Sequence, residues 1–120
     1  MTYDPDNIFA KIIRGEIPSD KVFEDEYVLV ISDKFPQAPV HILILPKKPY
    51  IDIADFAKNA SDAEIVALNR VTAFVISEFN LEKNGYRVIT NSGEHGGQEI
   101  PHLHWHVVGG HPLGKMLSNT

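Results

Sequence analysis

His102, His104 and His106 occupy alternate positions near the C-terminus of the chain. Side chains alternate across a β-strand, so a strand here places the three imidazoles on one face and Leu103 and Trp105 on the opposite, core-facing side. Because imidazole changes its protonation state near neutral pH, aligned rings are typical of sites for proton transfer, nucleophilic attack, phosphate contact or metal binding. The pattern therefore predicts a chemical site on one face of a sheet.

Composition limits the class of protein. The 120 residues are 43% hydrophobic and 22% charged, which predicts a single globular domain over residues 1–120. A formal charge of -5, with no basic run longer than Lys47-Lys48, disfavours a nucleic acid polymer as partner. The chain has no cysteine and no apolar run near the roughly 20 residues that a membrane helix needs. We therefore expect a soluble cytoplasmic protein that binds neither nucleic acid nor membrane.

Apolar periodicity predicts an α+β fold. Asn7 caps a short N-terminal helix, and Ser61 with Glu64 forms a capping box at the start of a long helix that runs to about Asn80. Strand patterns occur at residues 22–24, 27–33, 40–45 and 86–91 and in the histidine segment. Strands grouped on both sides of one long helix favour an antiparallel sheet of about five strands over βαβ units.

The predicted long helix has an unusually wide apolar surface. Val66, Val71 and Phe74 extend it beyond the width that one sheet face covers. Either the helix is deeply buried, or part of its surface contacts another subunit.

The spacing of the histidines limits a metal site. On a straight strand, at about 3.3 Å per residue, the Cα atoms of His102 and His106 lie about 13 Å apart, too far for three rings to converge on one ion. Two rings would need a further ligand, and the chain has no cysteine and no acidic residue after Glu99. The remaining candidates are His41, His95 and His111. We therefore favour a site without a metal ion.

The loop before the histidines favours phosphate chemistry. Gly93, Gly96 and Gly97 allow backbone N–H groups to approach an anion closely. Such a loop alone is typical of a turn, and it lacks the Gly-Lys-Ser/Thr of a P-loop. Next to histidines, however, the loop indicates a phosphate site. A neutral imidazole can attack phosphorus while neighbouring rings and amides hold the oxygens and protonate the departing group.

The histidine segment continues into Val107 and Val108 and so resembles the His-φ-His-φ-His-φ-φ signature, φ being apolar, of the histidine triad (HIT) superfamily. Four further segments resemble its nucleotide-binding (Hint) branch, namely residues 8–18, 36–41, 46–48 and 96–98. The ending at residues 107–114 is similar to bacterial members. The resemblance covers nearly the whole chain and favours a nucleoside phosphoramidase over a dinucleoside polyphosphate hydrolase.

This resemblance implies a homodimeric hydrolase that cuts the P–N bond of adenosine or guanosine 5′-phosphoramidates, without a cofactor or metal ion. His104 would be the nucleophile that forms a covalent nucleotidyl-histidine, and His106 would contact the phosphoryl and bridging atoms. His102 and His41 would form a hydrogen-bond relay that holds His104 in its reactive tautomer.

The resemblance also implies contacts to a purine nucleotide such as AMP. Asp33 would accept hydrogen bonds from the ribose hydroxyls. Asn91 and the amides around Gly97 and Gln98 would bind the phosphate or the leaving group, close to Glu99. Five apolar side chains would wall the purine: Ile8, Phe9, Ile12, Ile17 and Leu43. Without the resemblance, the same residues fit turn and core positions.

Three residues depart from the pattern of the relatives. Lys34 replaces an aliphatic residue beside the ribose-binding acid, and Glu99 stands where animal relatives carry a serine, which leaves the leaving-group preference open. Trp105 is bulkier than the usual aliphatic residue and affects packing rather than chemistry. A non-catalytic purine-nucleotide-binding regulator and a histidine-ligated metalloenzyme are the alternative functions.

Overall fold

The computed structural model describes residues 2–117, which form a five-stranded antiparallel sheet with three helices. The strands are β1 (Lys21–Glu24), β2 (Val28–Ser32), β3 (Val40–Pro46), β4 (Tyr86–Thr90) and β5 (Trp105–Gly109), in the order β1-β2-β3-β5-β4. The helices are α1 (Ile8–Ile13), α2 (Ile53–Asn59) and α3 (Asp62–Glu78). The predicted α+β fold is confirmed; Met1 and residues 118–120 of the predicted domain lie outside the described residues.

The two faces of the sheet carry separate apolar clusters. Val30 and Ile44 belong to the cluster on the face that α3 covers, whereas Leu29 and Leu43 pack with Phe9 of α1 on the other face. Because both faces are covered, β2 and β3 are apolar at successive positions instead of alternating with polar residues. Helix α1 therefore lies on the sheet face opposite α3. His104 lies on that same face, beside Phe9.

Helix boundaries follow local capping. The Ser61 hydroxyl accepts from the Glu64 amide at 3.1 Å while the Glu64 carboxylate accepts from the Ser61 amide at 3.0 Å, which confirms the predicted capping box. Asn7 caps α1 through a 2.9 Å bond from the Ala10 amide, also as predicted. Helix α2 was not predicted, because it spans 7 residues and buries only one apolar side chain.

The apolar surface of α3 is only partly buried. Val71 lies in the core, but Val66 and Phe74 are 52% and 43% exposed, so deep burial does not explain the whole surface. Within residues 2–117, no helix has the length and apolar character needed to cross a membrane.

The histidine segment is not one straight strand, and that prediction is wrong for its first half. Strand β5 begins at Trp105, so His102 and His104 precede it. The reason is that the Leu103 amide bonds to the Tyr50 carbonyl at 2.7 Å, away from the β3 ladder. The alternation of faces persists through this bend, since Leu103 and Trp105 both lie in the α3-side core.

Candidate functional site

A cleft of about 850 Å³ opens beside α1, at the sheet face opposite α3, and we call it the histidine cleft. Its lining includes every predicted site residue except His102, namely His41, His104, His106, Asp33, Asn91, Gly97, Gln98, Glu99, Ile8, Phe9, Ile12, Ile17 and Leu43. These residues come from segments distant in the sequence. The fold thus brings the predicted chemical and apolar groups together around one space.

His104 is oriented by the backbone of its own segment. Its Nδ1 atom lies 2.8 Å from the carbonyl oxygen of His102. A carbonyl oxygen only accepts, so this assignment puts the ring proton on Nδ1 and leaves Nε2 of the neutral ring with a free lone pair. Burial lowers the pKa of His104, which favours that neutral form. Phe9 contributes to the burial, with its ring centroid 4.7 Å from that of His104.

His106 has the opposite tautomer. The Gln37 amide donates to Nδ1 of His41 at 2.9 Å, so the proton of neutral His41 lies on Nε2. That nitrogen is 2.8 Å from Nδ1 of His106, which accepts, and the proton of His106 is therefore on its Nε2. Burial, together with the nearby His104 and His41, lowers the pKa of His106 to about 4. The cleft thus contains one ring with a free lone pair and one with an N–H donor.

His102 lies behind the cleft and is fully buried. Its Nε2 donates to the Pro46 carbonyl at 2.8 Å, and its Nδ1 accepts from the Tyr3 hydroxyl at 2.6 Å. Burial lowers its pKa to about 4, so the ring is neutral at physiological pH.

The relay implied by the resemblance differs from this network. The side chain of His102 does not bond to His104; its backbone carbonyl does so. The His41 ring bonds to His106 instead, because β3 and β5 pair Leu43 with His106 and thereby set His41 beside that ring. Instead of one side-chain relay to His104, the structure has two separate contacts: the His102 carbonyl bonds to His104, and the His41 ring bonds to His106.

The two predicted phosphate-binding amides are already engaged within their loop. The Gly97 amide donates to the Glu94 carbonyl at 3.1 Å, and the Gln98 amide donates to the Gly93 carbonyl at 3.0 Å. The loop thus closes on itself through turns, and the expected contact of the amides around Gly97 and Gln98 with a phosphate or leaving group stays a prediction.

The side chain of Gln98 braces the loop against the rest of the chain. Its amide nitrogen donates to the carbonyls of Ile51 at 2.7 Å and Ile100 at 3.1 Å. Gly96 allows the tight turn, since a Cβ atom there would lie 2.2 Å from the Ser92 carbonyl oxygen. Gln98 therefore shapes the wall of the cleft through contacts that the sequence did not predict.

Asp33 lies at the edge of the cleft, beside His41. Its Oδ1 accepts from the Phe35 amide at 2.7 Å, and its Oδ2 lies 3.3 Å from Nε2 of His41. A carboxylate has about four lone-pair positions, so it retains capacity for further donors such as hydroxyl groups. Lys34 also lines the cleft.

Asp33, His41 and His106 are a possible set of metal ligands, since one donor atom from each lies within 4.8 Å of the others. The ring nitrogens of His41 and His106 are 2.8 Å apart, as donor and acceptor. Donors around a tetrahedral zinc ion, with bonds of about 2.0–2.1 Å, are about 3.3 Å apart and deprotonated, so this pair has the geometry of a hydrogen bond. His95 and His111 are exposed and do not line the cleft, so neither completes a site there.

Two groups that orient the histidines, the Tyr3 hydroxyl and the Gln37 amide, were not predicted from the sequence. Tyr3 lies before the first periodic segment, and the Gln37 contact uses a backbone amide in a loop between prolines. Gln37 belongs to the segment 36–41 that resembles the Hint branch, but a contact through a backbone amide leaves no side-chain signal in the sequence.

The sequence model of the HIT domain family matches residues 14–113. The chain is 49% identical over 117 residues to an uncharacterized HIT-like protein of Azospirillum brasilense, covering 98% of this chain and 96% of that one. It is 42% identical over 114 residues to the purine nucleoside phosphoramidase of Escherichia coli K12, covering 95% of each chain.

Solved structures share the fold. A HIT family hydrolase from Clostridium thermocellum superposes with a TM-score of 0.84 at 38% identity, covering 93% of this chain and 97% of that chain. A histidine triad protein from Clostridium difficile superposes with a TM-score of 0.83 at 42% identity, covering 95% and 98%. From the match over most of its length, the HIT signature and the shared architecture, this chain belongs to the HIT domain family.

Proposed function

We propose that this protein is a metal-independent purine nucleoside phosphoramidase that hydrolyses adenosine or guanosine 5′-phosphoramidates through a nucleotidyl-His104 intermediate. The observation that carries the proposal is the 2.8 Å contact between Nδ1 of His104 and the His102 carbonyl, because it leaves Nε2 unprotonated for attack. The 42% identity to the Escherichia coli purine nucleoside phosphoramidase supports the substrate class.

In the first step, Nε2 of His104 forms a bond to phosphorus while the P–N bond to the amine breaks. The departing nitrogen takes one proton, supplied by solvent water in the open cleft. The Nε2–H of His106 donates a hydrogen bond to the reacting group, where charge develops. The ring of His104 then carries a positive charge, and the carbonyl of His102 stabilises the N–H that shares it.

In the second step, water attacks phosphorus and the bond between phosphorus and Nε2 of His104 breaks. The nucleoside monophosphate leaves, the proton from water returns to solvent, and the neutral ring is restored. The low pKa values of His104 and His106 suit this cycle, because a cationic His104 has no lone pair with which to begin it.

The remaining lining of the cleft fits a nucleotide. Ile8, Phe9, Ile12, Ile17 and Leu43 form its apolar part and would pack against the purine. Asp33 would accept from the ribose hydroxyls with the lone pairs that Phe35 does not use. Asn91 and Glu99 also line the cleft and would bind the phosphate or the amine.

The chain also has a surface suited to a homodimer. Strand β4 is an edge of the sheet, and its Tyr86, Val88 and Ile89 side chains are exposed. An adjoining groove of about 490 Å³ runs between β4 and α3. We infer that two copies of the chain associate along β4. That residues 1–120 form one domain, and that the protein is cytoplasmic, also stay predictions.

The test is turnover of adenosine 5′-phosphoramidate by the wild type, His104→Gly and His95→Ala, each with and without EDTA. His95 is an exposed loop histidine and serves as the matched control. We expect AMP from the wild type and from His95→Ala, and a loss of at least about 1,000-fold in His104→Gly. Added imidazole should restore part of that loss, because it replaces the missing nucleophile.

Each alternative function has its own outcome. Intact-mass measurement after a rapid quench in alkaline denaturant, where a P–N bond to histidine survives, should detect one nucleotidyl group on the wild type and none on His104→Gly. Tight AMP binding without turnover would favour the non-catalytic regulator. Loss of turnover with EDTA, together with stoichiometric metal in the protein, would favour a metalloenzyme at Asp33, His41 and His106.

A further inference from the structure

The N-terminal segment, residues 2–13, precedes the region that the HIT family model matches, yet it packs against the histidines. The ring centroid of Tyr3 lies 5.7 Å from that of His102, edge to face. Phe9 lies 6.5 Å from His102 and 4.7 Å from His104 in the same kind of arrangement. Two aromatic side chains from this segment therefore cover two rings of the triad.

We propose that Tyr3 is a positioning residue for His104, because its hydroxyl holds the buried His102 ring and the His102 carbonyl in turn orients the His104 ring. The expected effect of Tyr3 on catalysis rests on the proposed function. The expected effect of Tyr3 on the position and tautomer of the His104 ring does not depend on the proposed function.

The hydrogen bonds of His102 give Tyr3 a specific role. The Pro46 carbonyl can only accept, so Nε2 of His102 is the donor and Nδ1 carries a lone pair. In the described part of the chain, the Tyr3 hydroxyl is the side-chain group that bonds to Nδ1, at 2.6 Å. Burial raises the pKa of Tyr3, which keeps that hydroxyl protonated and able to donate.

The contact reaches His104 through one residue. Because His102 is held at both ring nitrogens, by Tyr3 on one side and by Pro46 at the end of β3 on the other, its ring cannot rotate without losing a bond. The same residue supplies the carbonyl that lies 2.8 Å from Nδ1 of His104. Loss of the Tyr3 hydroxyl leaves a buried acceptor unpaired, and the segment must then shift or admit water.

The test compares Tyr3→Phe with Tyr27→Phe, a control outside the histidine cleft. Tyr3→Phe keeps the ring that packs on His102 and removes only the hydroxyl. We expect kcat for adenosine 5′-phosphoramidate to fall about 10-fold with KM within about twofold, the size of effect typical for groups that orient a functional histidine. Tyr27→Phe should leave both constants unchanged.

A second readout reports the position of the proton directly. In protein labelled with ¹⁵N-histidine, the shifts of the two ring nitrogens distinguish a protonated from an unprotonated nitrogen. In the wild type at pH 8 we expect His104 to be protonated at Nδ1 alone, and in Tyr3→Phe we expect a mixture of both tautomers.

The two readouts separate the inference from the proposed function. An unchanged ¹⁵N pattern of His104 in folded Tyr3→Phe overturns the inference, whatever happens to activity. An unchanged kcat in an active enzyme overturns its catalytic consequence. If the wild type does not hydrolyse the phosphoramidate, the proposed function fails while the ¹⁵N comparison still decides whether Tyr3 positions His104.

Discussion

Nε2 of His41 and Nδ1 of His106 lie 2.8 Å apart, although the two residues are separated by 65 positions in the chain. Antiparallel pairing of β3 with β5 sets the two rings side by side on one face. The Gln37 amide determines the tautomer of His41, and His41 in turn determines the tautomer of His106. The N–H that His106 presents therefore depends on a backbone amide in the loop between β2 and β3.

We expect His41→Ala to lower kcat/KM for adenosine 5′-phosphoramidate by about 10-fold or more, because His106 then loses the donor that selects its tautomer. The measurement is initial-rate kinetics at pH 7.5, with His95→Ala as the control, since His95 is exposed. A His41→Ala enzyme with wild-type kcat/KM would show that the contact between His41 and His106 has no catalytic role.

The acid limb of the pH profile should report His104. Burial lowers the pKa of His104, so the neutral nucleophile is lost only below its ordinary value near 6.5. The rate of nucleotidylation in single-turnover experiments should therefore stay level from pH 8 down to 6.5 and decline at lower pH. A decline that begins above pH 6.5 would contradict the burial of the nucleophile.

Glu99 should influence the pH below which the rate of nucleotidylation declines, which is the acid limb of the pH profile. Its negative charge raises the pKa of His104, although burial dominates, so Glu99→Gln should move the acid limb to lower pH. Glu94→Gln, in the same loop but outside the lining of the cleft, is the matched control and should leave the limb in place. A shift to higher pH in Glu99→Gln would be opposite in sign to the electrostatic expectation.

Acid should destabilise the fold through His102. Its pKa is about 4 in the folded state and near 6.5 when unfolded, so between these values the unfolded chain binds more protons. Stability due to this ring is complete above pH 6.5 and is lost as pH falls toward 4, by about 3 kcal/mol. Urea unfolding at pH 7.5 and 4.5 measures the change in the free energy of unfolding.

The matched variant for this prediction is His102→Gln, which cannot titrate. It should be less stable than the wild type at pH 7.5, because it cannot retain both bonds of the ring, to Tyr3 and to Pro46. Its free energy of unfolding should also fall less between pH 7.5 and 4.5 than that of the wild type. Equal losses in the two proteins would assign the acid sensitivity to other groups.

Strand β4 should be required for dimer formation. A lysine at Val88, in the middle of this exposed edge, places a charge where a second copy would pack, so Val88→Lys should be a monomer in light scattering at concentrations where the wild type is a dimer. Ala57→Lys, on the exposed side of α2, introduces the same charge elsewhere and should remain a dimer. A dimeric Val88→Lys protein would exclude β4 as the interface.

Sequence patterns predicted most elements because those elements are encoded locally. Short apolar runs bounded by turn residues indicate the strands, and the capping side chains of Asn7 and Ser61 indicate the helix starts, all within a few residues. Helix α2 escaped prediction because seven residues with one buried side chain provide little periodicity. The strand expected over His102 and His104 failed because Leu103 bonds to Tyr50, a partner that local sequence does not reveal.

The sequence by itself determined which chemical groups the site contains and which residues alternate between cleft and core, since residue type and a period of two are local properties. Only the tertiary structure decided which ring nitrogen carries the proton in His102 and in His106. Tyr3 and Pro46 decide it for His102, and His41, set beside the ring by the pairing of β3 with β5, decides it for His106. These two tautomers depend on contacts between remote segments, so they become defined only when the chain has folded.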